Sequence, residues 1–154
     1  RGLGKQLELA RSRLTDPRYA FLFQPAGGYA PDLAGKIEAD IDGLVASWIG
    51  HNKPLTILDV SELPSDVAGD VVGLLLRIVY DMLFWGGSLQ ISGKAQPLLI
   101  VVDEAHRFLA EGGDTSCHRI LARVAKEGRK YGVGLVVVTQ RPSEVDATVL
   151  SQCG

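Results

Sequence analysis

The chain has 154 residues, 46% of them hydrophobic and 22% charged, with a formal net charge of −2. That is the profile of an ordinary globular domain, long enough to bury a real core. The balance excludes a chain that would hold nucleic acid by bulk charge alone, so any basic surface must be local or assembled from several subunits.

In chain order, residues 4–14 read as a helix, with Leu7, Leu9 and Leu14 among charges, broken at Asp16-Pro17. YAFLF (19–23) reads as a short strand. After the turn-rich QPAGGYAPD, the spacing of Leu33, Ile37, Ile41, Leu44 and Trp48 predicts a helix over 33–49. LTILDVS (55–61) reads as a strand, and Ser65 in ELPSD as the N-cap of a long helix to about Trp85. That helix is apolar nearly all round, with Asp70, Arg77 and Asp81 on one stripe, which predicts a covered core helix. Those charges also exclude VAGDVVGLLLRIVYDMLFWGG as a membrane span. A polar loop, GGSLQISGKAQ, leads to the strand PLLIVVD. A helix follows over about 114–130, then the strand VGLVVVTQ (133–140), and Ser143 is placed to cap a last helical turn through Leu150.

Apolar strands separated by helices predict the α/β class, with a mostly parallel sheet covered by helices on both faces. Such sheets bind ligands at the carboxyl ends of their strands. Two strand ends carry polar chemistry there: Asp103-Glu104 and Thr139-Gln140.

The stretch LLIVVDEAHRFL is the Walker B pattern, a buried apolar strand that projects two carboxylates into a phosphate site. Asp103 is the candidate Mg²⁺ ligand, through water because Mg²⁺ gives up water reluctantly. Glu104 is the candidate for orienting the attacking water. The competing structural role for both acids is to cap the next turn or to pair with Lys or Arg. Gln140 can hydrogen-bond a γ-phosphate oxygen and a water, as a sensor of nucleotide state; a solvated Gln before a proline turn is the plain alternative. On the helix between them Arg119, Arg123, Lys126 and Lys130 share a face, with Arg129 beside them. For Arg129, chemistry alone favours a helix-dipole role over a catalytic one. Among the histidines, His106 is a candidate polar group behind the acids, whereas His51 and His118 read as surface residues. The two cysteines, Cys117 and Cys153, have no metal or CxxC spacing and read as reduced thiols of a cytosolic protein. No signal peptide is visible, and the expected location is cytoplasmic.

At LLIVVDEAHRFL, EGRKYGVGLVVVTQRPSEVD and SQCG the sequence resembles the HerA family of the HerA–FtsK ATPases, most strongly over 97–154 and more loosely upstream. The resemblance implies a RecA-like P-loop NTPase core. It implies a homo-hexameric motor that uses ATP and Mg²⁺ to move duplex DNA, with a nuclease partner in DNA end processing. It also implies that Asp103 and Glu104 are the Walker B acids, that Gln140 is the sensor, and that Arg129 acts as an arginine finger on a neighbouring subunit. The letters DEAH do not indicate a DEAH-box helicase, because the next strand ends in Thr-Gln-Arg-Pro and not Ser-Ala-Thr.

The sequence departs from the family in one respect: GxxxxGK[ST] does not occur. The nearest string, YAPDLAGKIEAD, follows no strand and reads as a decoy at a helix start. The expectation is therefore a partial RecA-like domain over 1–154, lacking the P-loop strand, from a longer protein. Alone it should neither hydrolyse ATP efficiently nor form a stable ring. A conjugation- or secretion-type ATPase, or a non-catalytic interaction module on a degenerate ATPase fold, are the other readings.

Overall fold

The computed structural model describes residues 2–24, 27–49, 51–86 and 97–153. Two compact units divide the chain, Arg1–Pro64 and Ser65–Gly154.

In the first unit, α1 (Gly2–Thr15) closes with the Thr15 hydroxyl donating to the Arg11 carbonyl, 3.0 Å away. Asp16 then accepts from the Arg18 amide and holds its guanidinium at 2.7 Å, which pulls the Asp16 carboxyl below its usual range. Pro17 has φ already set for the 3₁₀ turn Pro17–Tyr19 that follows, and the turn runs on into α2 (Ala20–Phe23). The strand expected at 19–23 is therefore helical: the capped Asp-Pro start outweighs the aromatic β-propensity of YAFLF.

The helix expected over 33–49 shrinks to α3 (Ile41–Ala46). Two aspartates divide the segment. Asp32 takes the amides of Ala34 and Lys36 into a tight turn, with Gly35 at φ 77°. Asp40 sits in extended backbone and caps α3 by accepting from the Gly43 amide at 2.8 Å. The strand expected at 55–61 is also absent. Residues 55–60 have no ladder partner among the described residues, and Leu55 and Ile57 are exposed. A strand needs a neighbour to accept its hydrogen bonds, and apolar composition alone does not supply one.

The second unit follows the sequence more closely. Helix α4 runs Ser65–Trp85, so Ser65 begins the helix itself. Strand β1 (Leu98–Val102) leads through a 3₁₀ turn at Ala105–Arg107 to α5 (Ser116–Glu127), capped by the Thr115 hydroxyl. A second 3₁₀ turn, Gly128–Tyr131, delivers β2 (Val133–Val137), and α6 (Ala147–Leu150) ends the unit with Asp146 as its cap. The polar loop expected between α4 and β1 lies, from residue 87, outside the described residues.

Helices α4 and α5 pack closely because of two glycines one turn apart. A Cβ at Gly73 would lie 2.4 Å from the Cys117 nitrogen, and one at Gly69 would press on Thr115 at 3.3 Å. The contact buries Cys117 completely, and that burial pushes its thiol up to about 12. Tyr80, Leu109, Leu121, Val124 and Val133 complete the core. Asp70, exposed beside the helix contact, accepts from the Ser116 hydroxyl at 2.8 Å, while Arg77 and Asp81 pair with each other. Nor is α4 covered all round, since Leu74 and Trp85 are exposed.

Strands β1 and β2 pair in parallel, from Leu98↔Val133 to Val102↔Val137. The parallel pair with helices bears out the α/β class. Cover on both faces is not found among the described residues: Leu99, Val101, Val136 and Val138 form one face and are exposed. Helix α5, the connection between the strands, packs on β2, and a single connecting helix can cover one face of the pair.

Candidate functional site

The carboxyl ends of the two strands are joined by backbone before any side chain is considered. The Val138 amide donates to the Val102 carbonyl at 2.9 Å, and the Ala105 amide returns to the Val138 carbonyl at 3.0 Å. Asp103 and Glu104 are thus the two residues that turn out of β1 over the end of β2. To make the turn Glu104 adopts φ 48°, ψ 44°, the left-handed region, and it is the sole non-glycine residue with positive φ among those described. An L-residue there carries a cost of roughly 1–2 kcal/mol. Such conformations persist where the surroundings impose them, often at functional sites.

Asp103 is exposed, and its Oδ1 accepts from the Glu104 amide at 2.9 Å. Among the described residues it pairs with no Lys or Arg, and of the competing structural role only the local hold on the turn, through the Glu104 amide, is observed. Glu104 is half-exposed, with Oε2 3.3 Å from His106 Nδ1. The same nitrogen lies 3.3 Å from Thr139 Oγ1, which also accepts from the Arg141 amide at 3.0 Å. Gln140 stands between these two, exposed at the tip of the β2 end. Asp103, Glu104 and Gln140 are therefore brought to one edge. Thr139, which the sequence places at this strand end beside Gln140 without assigning it a role, is a member of this cluster.

Arg129 lies elsewhere. It sits in the 3₁₀ turn before β2, at the amino ends of the strands, roughly 13 Å or more along the sheet from the acids. The turn is firmly held. Tyr131 packs on Phe84 (centroids 4.7 Å) and edge-on to Tyr80 (6.0 Å). A Cβ at Gly128 would meet the Val133 carbonyl oxygen at 2.7 Å, and Gly132 takes φ 73° to enter β2. The pattern EGRKYG is thus a pedestal: glycines for close approach and reversal, a tyrosine anchor, and Arg129 at the surface. Among the described residues the Arg129 guanidinium has no hydrogen-bond or ion-pair partner. It borders a cleft of about 440 Å³ lined also by Pro97, Leu99, Val124, Gly134 and Cys153.

Two other basic residues of that face are engaged. Arg119 pairs with Asp114 at 2.8 Å. Arg123 pairs with Glu127 and stacks 4.9 Å above the Tyr80 ring. The Arg123 guanidinium depresses the Glu127 carboxyl. His118 is not a surface residue: its side chain is 13% exposed, and Nε2 contacts Asp146 Oδ2 at 3.0 Å. His51, only partly exposed, accepts from the Lys53 amide and meets the Thr56 hydroxyl. Cys153 is exposed and Cys117 buried, both as free thiols.

The string around Gly35-Lys36 is a turn, four residues short of α3 and not at a helix start. It cannot cradle phosphate as it stands. The Ala34 and Lys36 amides are taken by the Asp32 carboxylate and the Gly35 amide by the Asp32 carbonyl, whereas a phosphate loop must present its amides free.

Among the described residues no three His, Cys, Asp or Glu side chains converge as a metal cage. The donor set nonetheless fits Mg²⁺ held with a nucleotide, which needs one or two carboxylates and takes its remaining oxygens from phosphate and water. Asp103 offers such a carboxylate. No helix of the described residues is long and apolar enough to cross a membrane.

No family model matches the chain. It is similar to the "DNA double-strand break repair helicase HerA" of Pyrococcus furiosus, 52% identical over 58 residues, covering 38% of this chain and 10% of that protein. The protein of that name in Sulfolobus acidocaldarius is 36% identical over 98 residues, or 64% of this chain and 20% of that protein. A protein named "probable helicase" in Methanocaldococcus jannaschii is 46% identical over 104 residues, or 64% and 19%. The chain thus spans about a tenth to a fifth of the length of these relatives. The repeated match to proteins of one name agrees with the order of VDEAH, EGRKYG and TQRPSEVD along the chain, and over up to 64% of its length the chain is similar to HerA helicases.

Proposed function

We propose that this chain forms the Walker B, sensor and arginine-finger part of a RecA-like ATPase that moves duplex DNA. The reading rests above all on one observation: Asp103, Glu104 and Gln140 share the carboxyl edge of a parallel strand pair, where such sheets bind ligands. Asp103 holds the Mg²⁺ of a bound ATP, and the metal supplies charge neutralisation at the phosphates. Glu104 accepts a hydrogen bond from the attacking water and orients it. Gln140 donates to a phosphate oxygen and accepts from the same water. Arg129 completes the ATP site of an adjacent subunit in a homo-hexameric ring. Its position at the other end of the sheet, without an acceptor among the described residues, supports action in trans.

The phosphate cradle comes from a Walker A loop elsewhere in the full-length protein, so the 154-residue chain alone neither turns over ATP nor closes a ring. The whole protein is a cytoplasmic helicase that acts with a nuclease on DNA ends. The test is steady-state ATP hydrolysis by the full-length protein with and without duplex DNA. Glu104→Gln should reduce turnover by about 10²–10⁴-fold while leaving nucleotide binding in place. Full turnover in that variant overturns the assignment of Glu104. Absence of turnover in the unmodified full-length protein favours the interaction-module reading. DNA affinity should fall steeply with salt, and a flat salt response removes the translocase.

A further inference from the structure

We propose that His106 is a positioning residue that ties the Glu104 carboxylate to the end of β2, so that the acid and the Gln140 tip move as one unit. The inference rests on the reading of Glu104 as the acid that orients water. Three observations carry it. First, one atom, His106 Nδ1, lies 3.3 Å from Glu104 Oε2 and 3.3 Å from Thr139 Oγ1, and so bridges residues 35 positions apart just past the ends of two strands. Second, the imidazole is held in place: its side chain is 17% exposed and sits in the 3₁₀ turn anchored by Ala105, which is fully buried and bonded to the Val138 carbonyl. Third, Glu104 needs such a hold, because its backbone occupies the left-handed region and its carboxylate has no Lys or Arg partner among the described residues.

The chemistry fixes which atoms matter. A lone pair on Nδ1 would repel the carboxylate, so the proton resides on Nδ1 and is shared between Glu104 and the Thr139 hydroxyl oxygen. Thr139 has a second bond, from the Arg141 amide, which clamps the residues on both sides of Gln140. When Glu104 turns toward a water, Nδ1–H keeps Thr139 as its acceptor, so the imidazole is satisfied in both positions of the acid. His106 itself touches neither nucleotide nor water.

The experiment uses the full-length protein and measures kcat and KM for ATP. His106→Ala should lower kcat roughly 10–100-fold, as loss of an orienting partner does, with KM within about threefold. His106→Asn places an amide N–H near the position of Nδ1 and should restore most of kcat. His106→Gln, whose amide overlies Nε2, should not. Thermal melting of each variant separates misfolding from loss of positioning. The proposal is overturned if His106→Ala keeps kcat within twofold of the parent, or if Asn and Gln rescue equally. It is also overturned if His106→Asn folds normally and stays as slow as the alanine variant. Glu104→Gln in the same series keeps the two ideas apart: normal turnover there sinks the underlying reading of Glu104, whereas a slow Glu104→Gln beside an unaffected His106→Ala sinks only the role of His106.

Discussion

At the carboxyl ends of β1 and β2 the polar side chains hold one another, while at the amino ends backbone and aromatic packing do the holding and the Arg129 cation has no partner among the described residues. Glu104, His106 and Thr139 form a chain of contacts at 3.3 Å, so the position of the acid is set by neighbouring side chains. Arg129 stands on a turn fixed by Gly128, Tyr131 and Gly132 and has no partner of its own among the described residues. The difference matters because a group that works within its own subunit benefits from local restraint. A group that must reach another subunit needs a rigid base and an unsatisfied tip.

The largest expected effect tests that contrast directly. In the full-length assembly Arg129→Ala should cut turnover by roughly 10³-fold or more, with ATP binding nearly unchanged. Mixing it with Glu104→Gln subunits should restore part of the activity, because a ring of both contains sites with an intact acid and an intact arginine from different chains. Failure of mixing to rescue would place Arg129 in cis and break the comparison. Arg129→Lys should rescue poorly, since a point charge does not reproduce the planar fork.

A smaller effect concerns the pedestal. Gly128→Ala forces a Cβ to within 2.7 Å of the Val133 carbonyl oxygen, and overpacking of this kind costs about 1–3 kcal/mol. Denaturant unfolding should register the loss, and an unchanged midpoint would mean that the turn tolerates displacement. The smallest effect lies near the carboxyl edge. Asp146 caps α6 through the Thr148 and Val149 amides and contacts His118, and these bonds pull its carboxyl below the usual range. A depressed folded pKa means that the contribution is fully present above the unfolded value, near 4, and is lost as pH falls through the lower folded value. Melting curves from pH 6 to pH 3 should therefore converge for the parent and Asp146→Asn at the acid end, and parallel curves would deny the linkage.

How far the sequence could be read depended on how local the governing interaction was. The spacing from Leu98 to Glu104 located β1 and its acids, the break at Tyr131-Gly132 located the start of β2, and the apolar run from Ser65 to Trp85 located α4. In 2–64, by contrast, short-range polar bonds from Asp16, Asp32 and Asp40 redirected the backbone against the hydrophobic periodicity. Leu55 and Ile57 had the composition of a strand and, among the described residues, no ladder to join. His118 was misread as exposed because its partner, Asp146, lies 28 residues away.

By itself the sequence determined the α/β class, the order of the three motifs, and the acids at a strand's end. These follow from residue types in consecutive positions, where strand rise and helical period translate spacing into place. Tertiary structure decided that Arg129 stands at the opposite end of the sheet from Asp103, Glu104 and Gln140, and that Arg123 is spent on Tyr80 and Glu127. It also decided that Glu104 must take a left-handed turn with His106 behind it. Each of these depends on which distant backbone a residue meets, and that is set by the pairing of β1 with β2 and the packing of α4 on α5, not by spacing along the chain.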